Sequence, residues 1–367
     1  MKSIIRFFFR NVVVAFFILI ASEGILPSTV QAAPAVTAAA IQPYQMTLGT
    51  GRVVYFEMAK PTRAGYPTFL LLPGVNRAFL LSEPGPQALI AKGYGVVGMN
   101  FSVQPFSVNA LPAGEVPFFM SASPSLQDFA NEVAQLAKTL QTQFQTGVVI
   151  PVSLSYTGAV SPLLKDFPLV IETVPMTSSA AENPQLEAYR QSLKAGELWN
   201  PIFGPGITRS LLDTAYRSEW EKQVSSMAEQ FKFSEDRHSQ MVEGYTTLSR
   251  AVEGFEWDLS ALPKNVNRVF IFAENESKSL LTHQVATFET LYDKDAKALL
   301  FVVKNSGHVI PSDQPEAYAS ILDLVAQGKT KALGGVVEVD SASRKSRTFT
   351  GAQVHTYLQS LIDADQN

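Results

Sequence analysis

Val148-Val149-Ile150-Pro151-Val152-Ser153-Leu154-Ser155-Tyr156-Thr157-Gly158-Ala159-Val160 is the stretch on which the reading of the fold turns. Gly147 to Val152 is apolar enough for a buried strand, and it runs through a small-x-Ser-x-small pattern into Ala159 to Lys165, which reads as a short helix. A serine at such a strand-to-helix turn is held in a strained conformation with its hydroxyl raised above the strand end. The residues two before and two after it must be small, so that helix and strand can approach. Ser153 and Thr157 occupy those places, which makes Ser155 the candidate nucleophile and puts Ser153 too early for the role. The plain alternative is a serine that only forms the turn. Two residues strain the pattern: the β-branched Thr157 crowds the turn, and Pro151 removes a ladder donor from a central strand.

Working outward, apolar runs alternate with helical patterns. Arg52 to Glu57, Thr68 to Leu72, Tyr94 to Met99, Leu169 to Val174, Val269 to Phe272 and Leu299 to Val303 read as strands, several too continuously apolar for anything but a sheet covered on both faces. Helices are expected at Gln87 to Lys92, Leu280 to Leu291 and Pro315 to Val325. Another is expected where Phe129, Val133, Leu136, Leu140 and Phe144 form one stripe that Ser125 can cap. Strands regularly separated by helices predict an α/β fold, a mainly parallel central sheet with helices on both faces. From about Thr177 to Leu262 the pattern turns almost wholly helical, as at Leu211 to Phe231 and Arg237 to Val252. An insertion of that size between two strands is expected to be a cap over the strand ends. It holds all three tryptophans, Trp199, Trp220 and Trp257, which form either an apolar roof over a substrate pocket or the core of the helical layer itself. Beyond Gly328 come an apolar Val336-Val337-Glu338-Val339, a basic Arg344-Lys345-Ser346-Arg347 that reads as a solvated loop, and a helix near Ala352 to Ile362.

Composition narrows the function classes. Lys plus Arg total 29 against 33 Asp plus Glu in 367 residues, a formal charge of -4 that lacks the basic excess nucleic-acid backbones demand. There is no cysteine, which excludes disulfides, thiolate metal sites and a cysteine nucleophile, and no paired-histidine spacing suggests a metal. Lys2, Arg6 and Arg10 precede the apolar run Val12 to Ala21, and Val30-Gln31-Ala32 supplies small residues for cleavage after Ala32. Residues 1–32 therefore read as a secretory signal, with an uncleaved anchor as the alternative. Cleavage removes three basic and one acidic side chain and takes the formal charge from -4 to -6. A periplasmic or secreted protein without a stable membrane span is expected.

With the serine turn, Leu72-Pro73-Gly74-Val75-Asn76 after an early strand, Phe272-Ala273-Glu274-Asn275-Glu276-Ser277 after the insertion, and Ser306-Gly307-His308 followed by Pro315-Glu316, the chain resembles the α/β-hydrolase family, specifically members with a helical cap, over residues 41–328. The order Ser155, Glu276, His308 is that fold's order of nucleophile, acid and histidine. The resemblance implies a core at 33–176 and 263–328, a cap at 177–262 and a C-terminal extension at 329–367. It further implies an oxyanion hole from the backbone N–H groups of Val75 and Tyr156, each such donor contributing ~3 kcal/mol. Glu274 competes with Glu276 for the acid. Pro73 stands where the family usually has histidine, and Ser153 and Thr157 where it usually has glycine.

The function so implied is an exported serine hydrolase that cleaves a small-molecule ester bearing an apolar group through an acyl-enzyme, with no cofactor. An aspartate nucleophile is absent at position 155, which excludes dehalogenase and epoxide-hydrolase chemistry at this site. Two other readings stand beside it: a cap-bearing, aminopeptidase-like amide hydrolase, for which Glu182, Glu187 and Glu197 could hold a substrate amine, and a non-catalytic binding protein on the same scaffold.

Overall fold

The strands are β1 (Gln42–Thr47), β2 (Val53–Ala59), β3 (Thr68–Leu71), β4 (Gly95–Met99), β5 (Val149–Leu154), β6 (Leu169–Thr173), β7 (Asn267–Ala273), β8 (Leu299–Val303), β9 (Gly335–Asp340) and β10 (Lys345–Phe349). They form one sheet in the order β1-β2-β4-β3-β5-β6-β7-β8-β9-β10. The computed structural model describes residues 40–74, 80–112, 114–181, 238–295, 297–330, 333–340 and 345–364. β4 through β9 pair in parallel, while β2 against β1 and β4, and β10 against β9, are antiparallel. The expected mainly parallel sheet is present.

Among the described residues the helices are α1 (Pro84–Ala91), α2 (Pro105–Asn109), α3 (Leu126–Thr142), α4 (His238–Ala251), α5 (Lys278–Lys294), α6 (Ile310–Asp313), α7 (Pro315–Ala326) and α8 (Ala352–Asp363). Period-two alternation assigns the layers. In β3, Phe69 and Leu71 join an apolar cluster with Leu89 of α1 and Tyr318 and Leu322 of α7, whereas Leu70 and Leu72 join Phe129, Val133 and Leu136 of α3 on the other face. Phe270 and Phe272 of β7 meet Phe288 of α5 and Leu358 of α8 in a third cluster. Phe129, Val133, Leu136 and Leu140 of the expected stripe lie buried along α3, whereas Phe144, the fifth, falls past the helix end at Thr142. The start of α3 is a reciprocal cap, in which Ser125 Oγ accepts the N–H of Asp128 and the Asp128 carboxylate accepts the N–H of Ser125 at 2.8 Å.

Three segments depart from the sequence reading. Residues 159–165 are not a helix; 3-10 turns at Ser155–Gly158 and Ser161–Leu163 lead to β6 instead. Pro162 cannot donate within a helix, and few residues separate the turn from Leu169. The described part of the basic stretch at 344–347 is not a loop, because Lys345–Phe349 is the edge strand β10, where Arg347 lies opposite Glu338 of β9 and the exposed Lys345 and Arg347 discourage further pairing. β1, the other edge, has too little apolar periodicity to read as a strand.

Pro151 fits a central strand for a geometric reason. Leu72 N–H donates to Val152 O at 2.9 Å, so Val152 faces β3 and Pro151 faces β6. The ladder to β6 begins only at Val152↔Ile171, so the missing donor falls just outside it.

Between β6 and β7 lies the insertion, residues 174–266, and no described helix in it or elsewhere is long and apolar enough to cross a membrane. Its two ends pair with each other: Trp257 N–H donates to Thr177 O at 2.9 Å, Ser179 N–H to Phe255 O at 2.8 Å, and Ser178 bridges Glu256. Residues 1–39 and 182–237, which include the expected signal and most of the expected cap, lie outside the described residues.

Candidate active site

Ser155 follows the last residue of β5 with φ at +53°, a left-handed conformation that a non-glycine residue adopts only where its surroundings over-determine it. Thr157 is part of that determination. Its hydroxyl accepts the N–H of Leu154 at 2.8 Å and donates to Leu154 O at 3.1 Å, so the side chain expected to crowd the turn ties it together. Close approach is required one residue later: a Cβ on Gly158 would stand 2.5 Å from Pro175 Cβ and 2.6 Å from Met176 N. That proximity lets Met176 N–H donate to Ser155 O at 2.8 Å.

The second component is a buried carboxylate and imidazole. Glu276 Oε2 lies 2.6 Å from His308 Nδ1, Glu276 is fully buried and His308 is 5% exposed. The other carboxylate oxygen accepts the N–H of Ser277 at 2.8 Å. A carboxylate at Nδ1 fixes the proton there and leaves Nε2 as the basic nitrogen. The loop carrying the ring is pinned by Asn275 N–H on Ser306 O at 2.9 Å and by Gly307 N–H on the buried Asp313 Oδ2 at 2.8 Å. Glu274, the competitor, faces elsewhere: it pairs with Lys304 Nζ at 3.3 Å and accepts Asn305 N–H at 2.9 Å.

Because β5, β6, β7 and β8 are parallel and in register, Ser155, Glu276 and His308 all emerge at the carboxyl edge of the sheet, where open α/β sheets bind ligands. The remaining site residues divide. Tyr156 is buried, and its phenol donates to Leu248 O of α4 at 3.0 Å. Val75, Trp199 and Trp220 lie outside the described residues. Trp257 is not in a roof over the edge; it packs on the sheet face against Phe270, its indole Nε1–H donating to Gly158 O at 3.0 Å. The same carbonyl also accepts the Ser161 hydroxyl at 3.1 Å.

Sequence reasoning missed the groups behind these turns. Gln104, buried after β4, accepts Phe101 N–H and donates from Nε2 to Gly74 O, both at 2.9 Å, which fixes the end of the β3 turn. Glu172 of β6 is wholly buried, accepts the hydroxyls of Ser153 at 2.5 Å and Ser161 at 2.8 Å, and pairs with Arg268 of β7. The available signal was a lone acid in the apolar Leu169-Val170-Ile171-Glu172-Thr173 and a lone arginine opening the next apolar strand. Among the described residues no group of three His, Asp or Glu is arranged to hold a metal.

No protein-family model and no curated protein matches the chain. Solved structures do. An α/β-hydrolase enzyme from a Medee basin deep-sea metagenome library superposes with a TM-score of 0.56 at 12% identity, over 78% of this chain and 97% of that one. A thermophilic esterase from Thermogutta terrifontis gives 0.54 at 16%, over 79% and 100%. The chain has the α/β-hydrolase fold. A serine hydrolase involved in carbazole degradation matches the same fold with a TM-score of 0.56 at 13% identity, over 79% of this chain and 100% of that one. In this α/β-hydrolase scaffold the strand order places β5 at the centre of the sheet, so the turn at Ser155 and the pair at Glu276 and His308 flank a common edge.

Proposed function

We propose that the protein is a serine hydrolase that cleaves a carboxylic ester through an acyl-enzyme, with Ser155 as nucleophile, His308 as general base and acid, and Glu276 as the carboxylate that orients it. The observation that carries this reading is the left-handed Ser155 at the end of a central parallel strand, on the same sheet edge as a buried imidazole with a carboxylate 2.6 Å from Nδ1. Ser155 Oγ attacks the ester carbonyl carbon while His308 Nε2 takes its proton. The oxyanion is received by the N–H groups of Tyr156 and Val75. Collapse expels the alkoxide, which leaves as the alcohol with the proton from His308. Water, deprotonated by the same nitrogen, then releases the acid and restores Ser155. Solved structures of this fold that are themselves described as esterases support the choice of an ester.

The insertion at residues 177–262 is the cap in this reading, supported by its position between β6 and β7, and it supplies the apolar cover for the substrate. Export after removal of residues 1–32 belongs to the same proposal; a mature protein beginning at Ala33 in the periplasmic fraction is its check.

A fluorophosphonate probe tests the chemistry. The wild-type protein should be labelled and Ser155→Ala should not, and p-nitrophenyl esters of graded chain length, beside aminoacyl-anilides, should show turnover of the esters. A well-folded wild type that neither takes up probe nor cleaves any ester would sink the proposal.

A further inference from the structure

The chain after Ser155 is 3-10 rather than α-helical, and its carbonyls have local donors: Tyr156 O accepts Ala159 N–H at 2.9 Å, Thr157 O accepts Val160 N–H at 3.1 Å, Gly158 O accepts the Ser161 hydroxyl at 3.1 Å and Ser161 O accepts Leu164 N–H at 3.1 Å. Two side chains from far along the chain add second donors to two of these carbonyls. Gly158 O accepts the indole Nε1–H of Trp257 at 3.0 Å, and Ser161 O accepts Nη2–H of Arg268 at 3.0 Å, from 99 and 107 positions along the chain. The Arg268 guanidinium also bonds Glu172, whose other oxygen accepts the hydroxyl of Ser153, two residues before Ser155. Its carbon lies 5.4 Å from the centre of the Trp257 ring. Trp257 is held in turn by its N–H on Thr177 O, where the two ends of the insertion pair.

We infer that Trp257 and Arg268 are positioning residues for Ser155: the indole on Gly158 O, together with the guanidinium on Ser161 O and on the Glu172 that holds Ser153, fixes the nucleophile turn from both flanks. The inference rests on the hydrolase reading and adds to it a mechanical link between the base of the insertion and the nucleophile. A left-handed serine relaxes once its surroundings stop over-determining it, and a shift of about 1 Å at a reacting atom costs on the order of a hundredfold in rate. Loss of one flanking bond should move the serine by part of that distance. Neither residue touches substrate, so ground-state binding should be spared.

Trp257→Phe keeps an aromatic ring and removes the indole donor. With a p-nitrophenyl ester it should lower kcat about tenfold with KM within about twofold, and slow fluorophosphonate labelling by the same factor, in a protein whose circular dichroism is that of the wild type. A Trp257→Phe protein that melts earlier yet turns over and labels at the wild-type rate would make the bond merely structural and overturn the inference. If that variant does not fold, Arg268→Lys carries the same pair of outcomes, since an ammonium cannot hold Glu172 and the Ser161 carbonyl in one fork. A wild type that takes up no probe overturns the hydrolase reading and this inference together, whereas a labelled wild type with equally fast variants overturns the inference alone.

Discussion

The turn that carries Ser155 and the turn that carries His308 leave the same edge of one sheet and are fastened by opposite means. Around His308 the ties are local or cross between the ends of adjacent strands: Gly307 to Asp313, Gln314 Nε2 to Asn305 O at 3.0 Å, Asn305 N–H to Glu274 and Asn275 N–H to Ser306 O. Around Ser155 the local ties of Thr157 are joined by a buried ion pair and an indole brought from far along the chain. A locally tied loop is set by its own sequence. The serine turn depends on residues that no reading of the turn itself would include.

The largest expected effect lies on the histidine side. Glu276→Gln keeps the shape of the carboxylate and presents an amide that no longer fixes the proton on Nδ1, so kcat for ester cleavage should fall about 10³- to 10⁴-fold. Glu274→Gln, two residues away and bonded to Lys304 and Asn305, should change kcat by less than about threefold. Equal losses in the two variants would mean that the buried contact at 2.6 Å is not the orienting one.

On the serine side the corresponding break is Arg268→Met, which strands Glu172 as a buried carboxylate. Removing one partner of such a pair costs about 3 to 5 kcal/mol, read as a lower urea midpoint at unchanged slope. Arg268→Met with Glu172→Gln removes the uncompensated charge while leaving an acceptor for the hydroxyls of Ser153 and Ser161, and it should recover at least half of the loss. A single variant that costs less than about 1 kcal/mol would erase the difference between the two turns.

The same division decides what could be read from sequence. The buried strands were legible because a sheet covered on both faces demands runs such as Phe69-Leu70-Leu71-Leu72 and Leu299-Leu300-Phe301-Val302-Val303. His308 and its loop were legible because Ser306-Gly307-His308 and Pro315-Glu316 lie within a few positions of each other. β1 and β10 were not, since an edge strand with an exposed face carries mostly polar residues. The pairing of Glu172 with Arg268 depends on which strands become neighbours, a property of topology that spacing does not encode. The misread helix at 159–165 has a local origin, because Pro162 and the short run to Leu169 leave room only for 3-10 turns whose carbonyls are met three residues on.

A third turn at this edge, after β4, sharpens the comparison, because its fastener titrates. Glu132 of α3 is buried. It accepts Ser102 N–H at 3.0 Å and the Ser102 hydroxyl at 2.5 Å, with Arg52 at 3.4 Å, and Ser102 lies two residues before the Gln104 that holds Gly74. Burial pushes the carboxyl up to about 7, against the lowering pull of the Ser102 bonds and of Arg52. The folded state therefore binds a proton that the unfolded chain, with an ordinary Glu near 4.5, has already released. By linkage, stability from this group is complete below pH 4.5, falls as pH rises between 4.5 and 7, and is flat above, a total of roughly 3 kcal/mol at 1.36 kcal/mol per unit. Glu132→Gln cannot ionise, so its urea-derived stability should lack that fall and exceed the wild type's at pH 8 relative to pH 5. If the difference between variant and wild type is the same at both pH values, Glu132 is ionised in the folded protein across that range, and the fastener of the turn after β4 does not titrate there.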